Sequence, residues 1–246
     1  MGYHESLTEG RNAVLEAFRS GKTVDRLFVL DGCQDGPVKT ILREAKKQDT
    51  MVQYVKKERL DQLSETKNHQ GVIAYCAACE YAEVSDILEN AEKKGEAPFI
   101  VLLDGIEDPH NLGAIIRTAN QAGAHGVIIP KRRAVGLTAT VARTSAGAVN
   151  YTPVAKVTNL VTVMEDLKKE GMWFVCADMD GEEMYSLNLK GPIGLVIGNE
   201  GEGVSRLVKE HCDMVASIPM KGDIDSLNAS VAMGVLAYEI VRQRRF

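Results

Sequence analysis

The sequence has little of what marks membrane or secreted proteins. No apolar run among the 246 residues approaches the roughly 18 to 20 residues that are needed to cross a bilayer. Residues 1–19 are too charged to contain the apolar core of a signal peptide. The five cysteines are an odd number without the spacing of a disulfide framework. We therefore expect a soluble, cytoplasmic protein without disulfides.

A basic excess is also absent, because 29 Lys and Arg residues stand against 34 Asp and Glu residues, for a formal net charge of −5. Such a chain has no global attraction to nucleic acid, so any binding to RNA requires local basic clusters. Two clusters qualify: Arg11, Arg19, Lys22 and Arg26 near the start of the chain, and Lys131, Arg132, Arg133 and Arg143 further on. Alone, such clusters identify no function.

Motifs for metals and for nucleotide cofactors are missing as well. Cys76 and Cys79 form a single C-x-x-C pair, and no second pair follows at the spacing of a zinc site. The glycine-rich stretch at residues 198–203 matches neither G-x-G-x-x-G nor a Walker sequence, which argues against a nucleotide-dependent oxidoreductase. We predict no bound metal and interpret the cysteines as ordinary strand residues.

The patterns that are present alternate between helix and strand and predict an α/β protein with two domains. Short patterns of both kinds between residues 10 and 79 indicate a small α/β domain. Residues 80–98 are strongly charged, include a helical pattern at residues 84–94, and end in glycine and proline, as a linker does. We predict a first domain over residues 1–79, a linker over 80–98 and a second domain over 99–246.

The second domain alternates apolar runs with helical patterns, which indicates a mainly parallel sheet. The predicted strands are residues 99–103, 126–129, 173–177, 195–197 and 215–218. Parallel sheets bind ligands at the carboxyl ends of their strands. Three of these strands run into polar, glycine-containing loops: FIVLL into DGIEDPHNLG, LVIG into NEGEG, and VASIPM into KGDIDSLN. We predict that the three loops form one composite pocket.

The first loop leads into a helix that Asp108 and Pro109 can open. Arg117 lies off the apolar stripe of this helix and faces either solvent or a ligand, and solvent is the commoner outcome. Asn111 fits a turn or capping role as well as a catalytic one. The stripe itself has helical spacing and consists of Leu112, Ile115, Ile116 and Ala119.

The other two loops offer further polar candidates. Glu200 is the acid closest to the end of its strand, and the glycines around it let the backbone approach a ligand. In the third loop, Ser226 is the favoured N-cap of an apolar helix over residues 231–241. Leu227 between Ser226 and Asn228 also fits a pocket wall flanked by hydrogen-bonding groups.

Taken in order, these segments resemble the three motifs of the SpoU family of RNA ribose 2'-O-methyltransferases, within the SPOUT superfamily. The first motif corresponds to Asn111, Gly113 and Arg117, the second to LVIGNEGEGVS and the third to IPMKGDIDSLNASVA. The stretches TSAGAVNYTPVAKVTNL and HQGVIAY are similar to the RlmB-type subgroup, which methylates a guanosine in bacterial 23S ribosomal RNA. In that subgroup the N-terminal domain resembles small ribosomal RNA-binding proteins.

The resemblance implies a fold and a cofactor that the patterns alone do not. It implies a deep trefoil knot at the carboxyl end of the catalytic sheet, overriding the general rarity of knots, with S-adenosylmethionine bound there in bent form. It also implies a homodimer, and the apolar residues Val235, Leu236 and Ile240 of the last predicted helix are candidates for its interface. The implied cofactor-binding residues are Gly198, Ile218 and Leu227, acting mainly through backbone groups, with Asn199 and Met220 nearby. The family more often has serine at position 199, and asparagine keeps a short polar side chain there.

The resemblance also implies the catalytic residues: Asn111, Arg117, Glu200, Ser226 and Asn228. A guanidinium is a poor general base, so we assign Arg117 to a phosphate beside the target ribose and to proton relay, which leaves the final base open. A tRNA ribose methyltransferase of the same family is an alternative. A non-catalytic RNA-binding or ribosome-assembly protein is another, and the presence of all five residues argues against it.

Overall fold

The computed structural model describes residues 6–33, 35–223 and 226–246. The described chain divides into two compact units, each built on its own sheet. One contains the residues up to Glu80 together with Gly136–Thr140, and the other contains Tyr81–Val135 and Val141–Phe246. Across the described residues, no helix is both long and apolar enough to cross a membrane.

The first unit is a four-stranded sheet with the order β1-β4-β2-β3, in which β2 and β3 are parallel and the other pairs are antiparallel. Helices α1 and α2 pack on one face, and α3 packs through Leu60 against Phe28 and Ile73 on the other. The small α/β domain is as predicted, apart from the short, mostly polar β1. Its elements are β1 (Ser6–Glu9), α1 (Arg11–Arg19), β2 (Val24–Leu30), α2 (Gly36–Lys47), β3 (Met51–Val55), α3 (Lys57–Leu63) and β4 (Val72–Cys76).

The second unit contains a six-stranded sheet with the order β10-β8-β9-β5-β6-β7, in which every neighbouring pair is parallel. This confirms the predicted parallel α/β architecture. The strand β7 was not predicted, because four residues are too short to show a clear pattern. The strands are β5 (Phe99–Asp104), β6 (Gly126–Pro130), β7 (Val154–Val157), β8 (Trp173–Glu183), β9 (Ile193–Gly198) and β10 (Met214–Ser217).

Helices cover this sheet. One core cluster joins strand residues such as Ile100, Leu102 and Val196 to apolar side chains of α4 and α7. Because successive strand side chains point to opposite faces, the equally buried Val101 and Leu195 show that the other face is covered too. Helices α5 and α9 pack against each other, and α9 contacts β9. The helices that follow β4 along the chain are α4 (Val84–Lys94), α5 (Pro109–Gln121), α6 (Ala139–Thr144, whose first two residues belong to the first unit), α7 (Leu160–Lys169), α8 (Arg206–Glu210) and α9 (Ala229–Arg245).

The segment over residues 80–98 differs from the predicted linker, because α4 packs into the core of the second unit. Ile87 and Ala91, one turn apart, are fully or almost fully buried. A Cβ atom at Gly126 would lie 2.5 Å from Ile87 Cγ1, so β6 has room for α4 only because it has glycine there. The charges that suggested a linker lie on the exposed face of the helix.

The strand order places three loops at one edge of the sheet. Strands β5 and β9 are neighbours, and β8 alone separates β9 from β10. Because all these strands are parallel, the loops that follow β5, β9 and β10 leave from the same edge. The passage of the chain through a trefoil knot stays a prediction of the resemblance.

Candidate functional site

The loop after β9 folds back onto its own start. Asn199 organises it, since its Oδ1 accepts hydrogen bonds from the backbone N–H groups of Gly201 (2.9 Å) and Glu202 (2.6 Å). The backbone N–H of Gly203 donates to the carbonyl of Asn199 at 3.0 Å. A Cβ atom at Gly198 would lie 2.0 Å from the carbonyl carbon of Gly203, so a glycine is required where the strand meets the returning loop.

A cavity of about 760 Å³ lies against this loop and the ends of β8 and β10. Two predicted catalytic residues, Glu200 and Ser226, line it. Acidic residues from β8, including Asp178 and Asp180, form another part of the wall, and the described lining contains no Lys, Arg or His. All five predicted cofactor-binding residues also line it: Gly198, Asn199, Ile218, Met220 and Leu227.

Residues of all three predicted loops meet at the carboxylate of Glu200. Asn111 Nδ2 donates to Glu200 Oε1 at 3.0 Å, across 89 residues of sequence. Asn228 Nδ2 donates to Asn111 Oδ1 at 3.0 Å, across 117 residues, and also to Glu200 Oε1. The backbone N–H of Ala229 approaches the same oxygen at 3.4 Å. We call Asn111, Glu200 and Asn228 the amide–carboxylate cluster.

Helix α9 begins at a different residue from the one predicted. Its N-cap is Asn228, whose Oδ1 accepts the backbone N–H of Ser230 at 3.0 Å. The assignment of Ser226 as N-cap is therefore wrong, and the helix covers Ala229–Arg245 instead of residues 231–241. Both residues are capping types, and only the backbone conformation distinguishes them. Ser226 is exposed at the cavity wall and takes no part in the amide–carboxylate cluster.

The start of α5 follows the prediction closely. Asp108 is the N-cap, accepts the backbone N–H of His110 at 2.8 Å and is followed by Pro109 in the first turn. The four stripe residues, Leu112, Ile115, Ile116 and Ala119, are fully buried. Gly113 is structural, because a Cβ atom there would lie 2.6 Å from Thr144 Cβ.

Arg117 lies apart from the other predicted catalytic residues. It is exposed on α5, lines neither this cavity nor the second cavity described next, and forms no hydrogen bond or ion pair with a described residue. Asn111 and Arg117 are six residues apart, which places them on different sides of a helix with 3.6 residues per turn. The helical position off the apolar stripe is as predicted, but the chain by itself does not bring Arg117 to the amide–carboxylate cluster.

A second cavity of about 510 Å³ lies beside the first. Asn111 and Glu200 line it, together with the loop after β5 and with Arg133 from the loop after β6. The two cavities share the residues Asn199, Glu200, Gly201 and Glu202. The loop after β9 is therefore a common wall, with the amide–carboxylate cluster at its edge.

Two acids that sequence reasoning missed hold the site together. Asp104, at the end of β5, accepts the backbone N–H of Ser205 at 2.8 Å and so ties β5 to the chain after β9. Asp178 on β8 pairs with Lys209 Nζ at 2.7 Å. Both acids directly follow or end an apolar run, and that position was the available signal.

The pKa of Asp178 shows that its ion pair stays charged at neutral pH. Burial raises the pKa of this carboxyl, but hydrogen bonds from Lys209 and the backbone N–H of Asp180 outweigh burial, so the pKa lies below its ordinary value. The same hydrogen bond raises the pKa of Lys209. The pair therefore connects α8 to β8 at the cavity wall.

Metal-binding residues are not grouped in the part of the chain that the structure describes. No set of three or more His, Cys, Asp or Glu side chains lies close enough together there to hold an ion. Cys76 is buried on β4 and Cys79 follows the strand. Burial raises the pKa of both thiols, which favours the protonated form over the thiolate that binds metals.

Comparison with known proteins connects both parts of the chain to RNA methylation. Residues 7–82 match the family described as RNA 2'-O ribose methyltransferase substrate binding. The chain is 49% identical to the Bacillus subtilis protein YacO, which is named as a TrmH family tRNA/rRNA methyltransferase. The alignment covers 96% of this chain and 94% of YacO.

Two solved structures with bound AdoMet are also similar. The SpoU methyltransferase AviRb from Streptomyces viridochromogenes is 27% identical, with a TM-score of 0.62, over 98% of this chain and 91% of that one. An rRNA methyltransferase from Sinorhizobium meliloti is 25% identical, with a TM-score of 0.61, over 97% and 87% of the two chains. Residues 98–238 match the SpoU rRNA Methylase family, and the chain therefore belongs to that family.

Proposed function

We propose that this protein transfers a methyl group from S-adenosylmethionine to the 2'-hydroxyl of a ribose in RNA, that its substrate is a guanosine of bacterial 23S ribosomal RNA, and that it acts in the cytoplasm. The observation that carries the proposal is the pair of adjoining cavities with the amide–carboxylate cluster at their shared wall. One cavity suits the cofactor, and the other gives a ribose access to the same wall.

The larger cavity fits S-adenosylmethionine in size and chemistry. Its volume of about 760 Å³ lies in the usual range of roughly 300 to 1,000 Å³ for small-molecule sites. Ile218, Met220 and Leu227 supply apolar wall, while Gly198 lets the returning loop pack directly against the end of β9, where a side chain would clash. The carboxylates in the wall suit a ligand with a sulfonium and an ammonium group. When bound, this cofactor supplies a methyl group on a sulfonium, an electrophile that needs no metal.

The protein's own task is then to align the ribose hydroxyl and to manage its proton. We assign alignment to the amide–carboxylate cluster, because mutual hydrogen bonds hold Asn111, Glu200 and Asn228 in fixed positions before the RNA arrives. Ser226 at the cavity wall provides a further hydroxyl for hydrogen bonding. Arg117, exposed on α5, binds an RNA phosphate and relays the proton.

We propose that the N-terminal domain, residues 1–79, captures the RNA and that residues 99–246 with α4 perform the reaction. The match of residues 7–82 to a substrate-binding family supports this division. A tRNA substrate is the alternative, favoured by the relative's name, which includes both tRNA and rRNA. A non-catalytic RNA-binding role is disfavoured by the preformed amide–carboxylate cluster beside a cavity.

Mapping of ribose methylation tests the substrate. The purified protein with labelled S-adenosylmethionine should methylate 23S rRNA that lacks modification, and should leave a tRNA pool unlabelled. The modified position should be a guanosine whose 2'-O-methyl group disappears in cells without the protein. Labelling of tRNA alone would show that the tRNA alternative is correct. Cofactor binding without methyl transfer to any RNA would favour the non-catalytic alternative.

We also propose that the protein is a homodimer that uses α9. Val231 and Tyr238, seven residues apart and therefore on one side of this helix, are 49% and 51% exposed. Leu236 and Ile240, which the sequence suggested for the interface together with Val235, are buried in the chain's own core and unavailable. Sedimentation should show a dimer at micromolar concentration, and Tyr238→Glu should shift it toward the monomer. A wild-type monomer with full activity would contradict the proposal.

A further inference from the structure

Arg133 occupies a position in the second cavity that the proposed mechanism does not use. It belongs to the loop after β6 and lines the cavity together with Asn111 and Glu200. Among the described residues that line this cavity, Arg133 is the sole cation. Its side chain forms no hydrogen bond or ion pair with any described residue. The guanidinium is therefore available to a ligand.

The backbone at Arg133 is held in a conformation that residues other than glycine rarely adopt. Its φ of +54° lies in the left-handed region, where glycine is favoured. Hydrogen bonds fix the loop on both sides, from Lys131 N to Val157 O at 2.8 Å and from Val135 N to Ile106 O at 3.0 Å. The surrounding structure thus imposes the conformation and aims this part of the loop at the cavity.

The negative charges that line the second cavity repel RNA phosphates, so a cation is needed there for RNA to bind. Four carboxylates line its described wall: Glu107, Asp108, Glu200 and Glu202. A phosphate that approaches these groups is repelled, whereas a guanidinium offers a planar set of donors that matches two phosphate oxygens. Neighbouring Arg132 is also exposed but does not line the cavity.

We propose that Arg133 binds a second RNA phosphate next to the target ribose, distinct from the phosphate assigned to Arg117, and so places that ribose in the second cavity, beside the amide–carboxylate cluster. This inference rests on the proposed function. It makes Arg133 an RNA-binding residue whose contribution appears in the recognition of RNA and not in the binding of the cofactor.

The test replaces Arg133 by glycine, because glycine adopts a φ of +54° without strain and the variant removes only the side chain. Arg133→Gly should raise the KM for RNA and lower kcat/KM about 10- to 100-fold, as expected for the loss of a charged hydrogen bond. The affinity for S-adenosylmethionine should stay unchanged. Arg133→Lys should recover part of the loss, since it restores the charge without the planar donors.

Arg132→Ala is the matched control, because it removes the same charge one residue away from the cavity. It should change kcat/KM for RNA by less than about threefold, as an exposed charge contributes little. RNA binding measured directly, without methyl transfer, separates this inference from the proposed function. The slope of log K against log salt should fall by about 0.7 to 0.9 for Arg133→Gly, the value for one lost phosphate contact.

Three results would overturn the assignment. One is RNA binding by Arg133→Gly equal to that of the wild type, and another is a loss equal to that of Arg132→Ala. The third is a loss of cofactor affinity, which would give the side chain a role in the fold. A different result would refute the proposed function and still support the phosphate contact. In that case the wild-type protein binds RNA, Arg133→Gly lowers the salt-dependence slope as expected, and neither protein methylates any RNA.

Discussion

Arg117→Ala is expected to lower the rate of RNA methylation by at least about 1,000-fold, within the range for groups that act on proton transfer or transition-state charge. The affinity for S-adenosylmethionine should remain within about twofold, because Arg117 lines neither cavity and we assign it to the RNA. Single-turnover kinetics with saturating RNA measures the first quantity, and calorimetry measures the second.

The control for this substitution is Arg206→Ala, which removes an exposed arginine of α8 that pairs with Glu210 at 2.7 Å. An exposed pair of this kind contributes about 0 to 1 kcal/mol to folding, so activity and stability should change little. If Arg117→Ala turned over like Arg206→Ala, Arg117 would be an ordinary solvated arginine, and its assignment to the RNA would be withdrawn.

Gly198→Ala is expected to abolish cofactor binding and to destabilise the second unit. The added Cβ atom would lie 2.0 Å from Gly203 C and 2.2 Å from Val204 N, which are backbone atoms that cannot rotate away. Forced overpacking typically costs about 1 to 3 kcal/mol, and a clash with fixed backbone lies at the upper end of that range. Calorimetry should show an affinity for S-adenosylmethionine at least about 100-fold weaker, and thermal unfolding should begin at a lower temperature.

Gly201→Ala serves as the matched substitution in the same loop. Its added Cβ atom would have Asn199 Oδ1 as its nearest neighbour at 3.7 Å, an ordinary van der Waals contact. Stability should therefore change by less than about 1 kcal/mol. If Gly198→Ala changed stability and cofactor affinity as little as Gly201→Ala, the loop would tolerate the closer contact by rearranging, and Gly198 would be dispensable for the cavity wall.

Local patterns predicted much of the fold because they depend on neighbouring residues alone. Asp108 and Pro109 start α5 as expected, since a capping carboxylate and a proline act on the turn in which they lie. The apolar runs form parallel strands, since a run that is apolar at successive positions can be buried on both faces of the sheet. The patterns failed where the signal was short, as in β1 and β7. At residues 80–98 the helix of α4 was predicted, but the charges on its exposed face led to the interpretation of the segment as a linker.

The positions of the loops were predictable in outline, because parallel strands that alternate with helices must place their carboxyl ends together. The hydrogen bonds between residues of different loops were not predictable from the sequence. Glu200 meets Asn111 and Asn228 only because β9 lies beside β5 and α9 begins next to the same loop. Residue spacing along a chain carries no information about such pairings when 89 or 117 residues intervene.

The sequence by itself determined the α/β class, the parallel sheet, the three site loops and, through resemblance, the family. Only the tertiary structure decided the N-cap of α9, the separation of Arg117 from the amide–carboxylate cluster, and the entry of Arg133 into the second cavity. The physical reason is that type and spacing of residues govern local backbone conformation. The direction of a side chain at the site depends instead on helix packing, strand order and the imposed φ of a single loop residue.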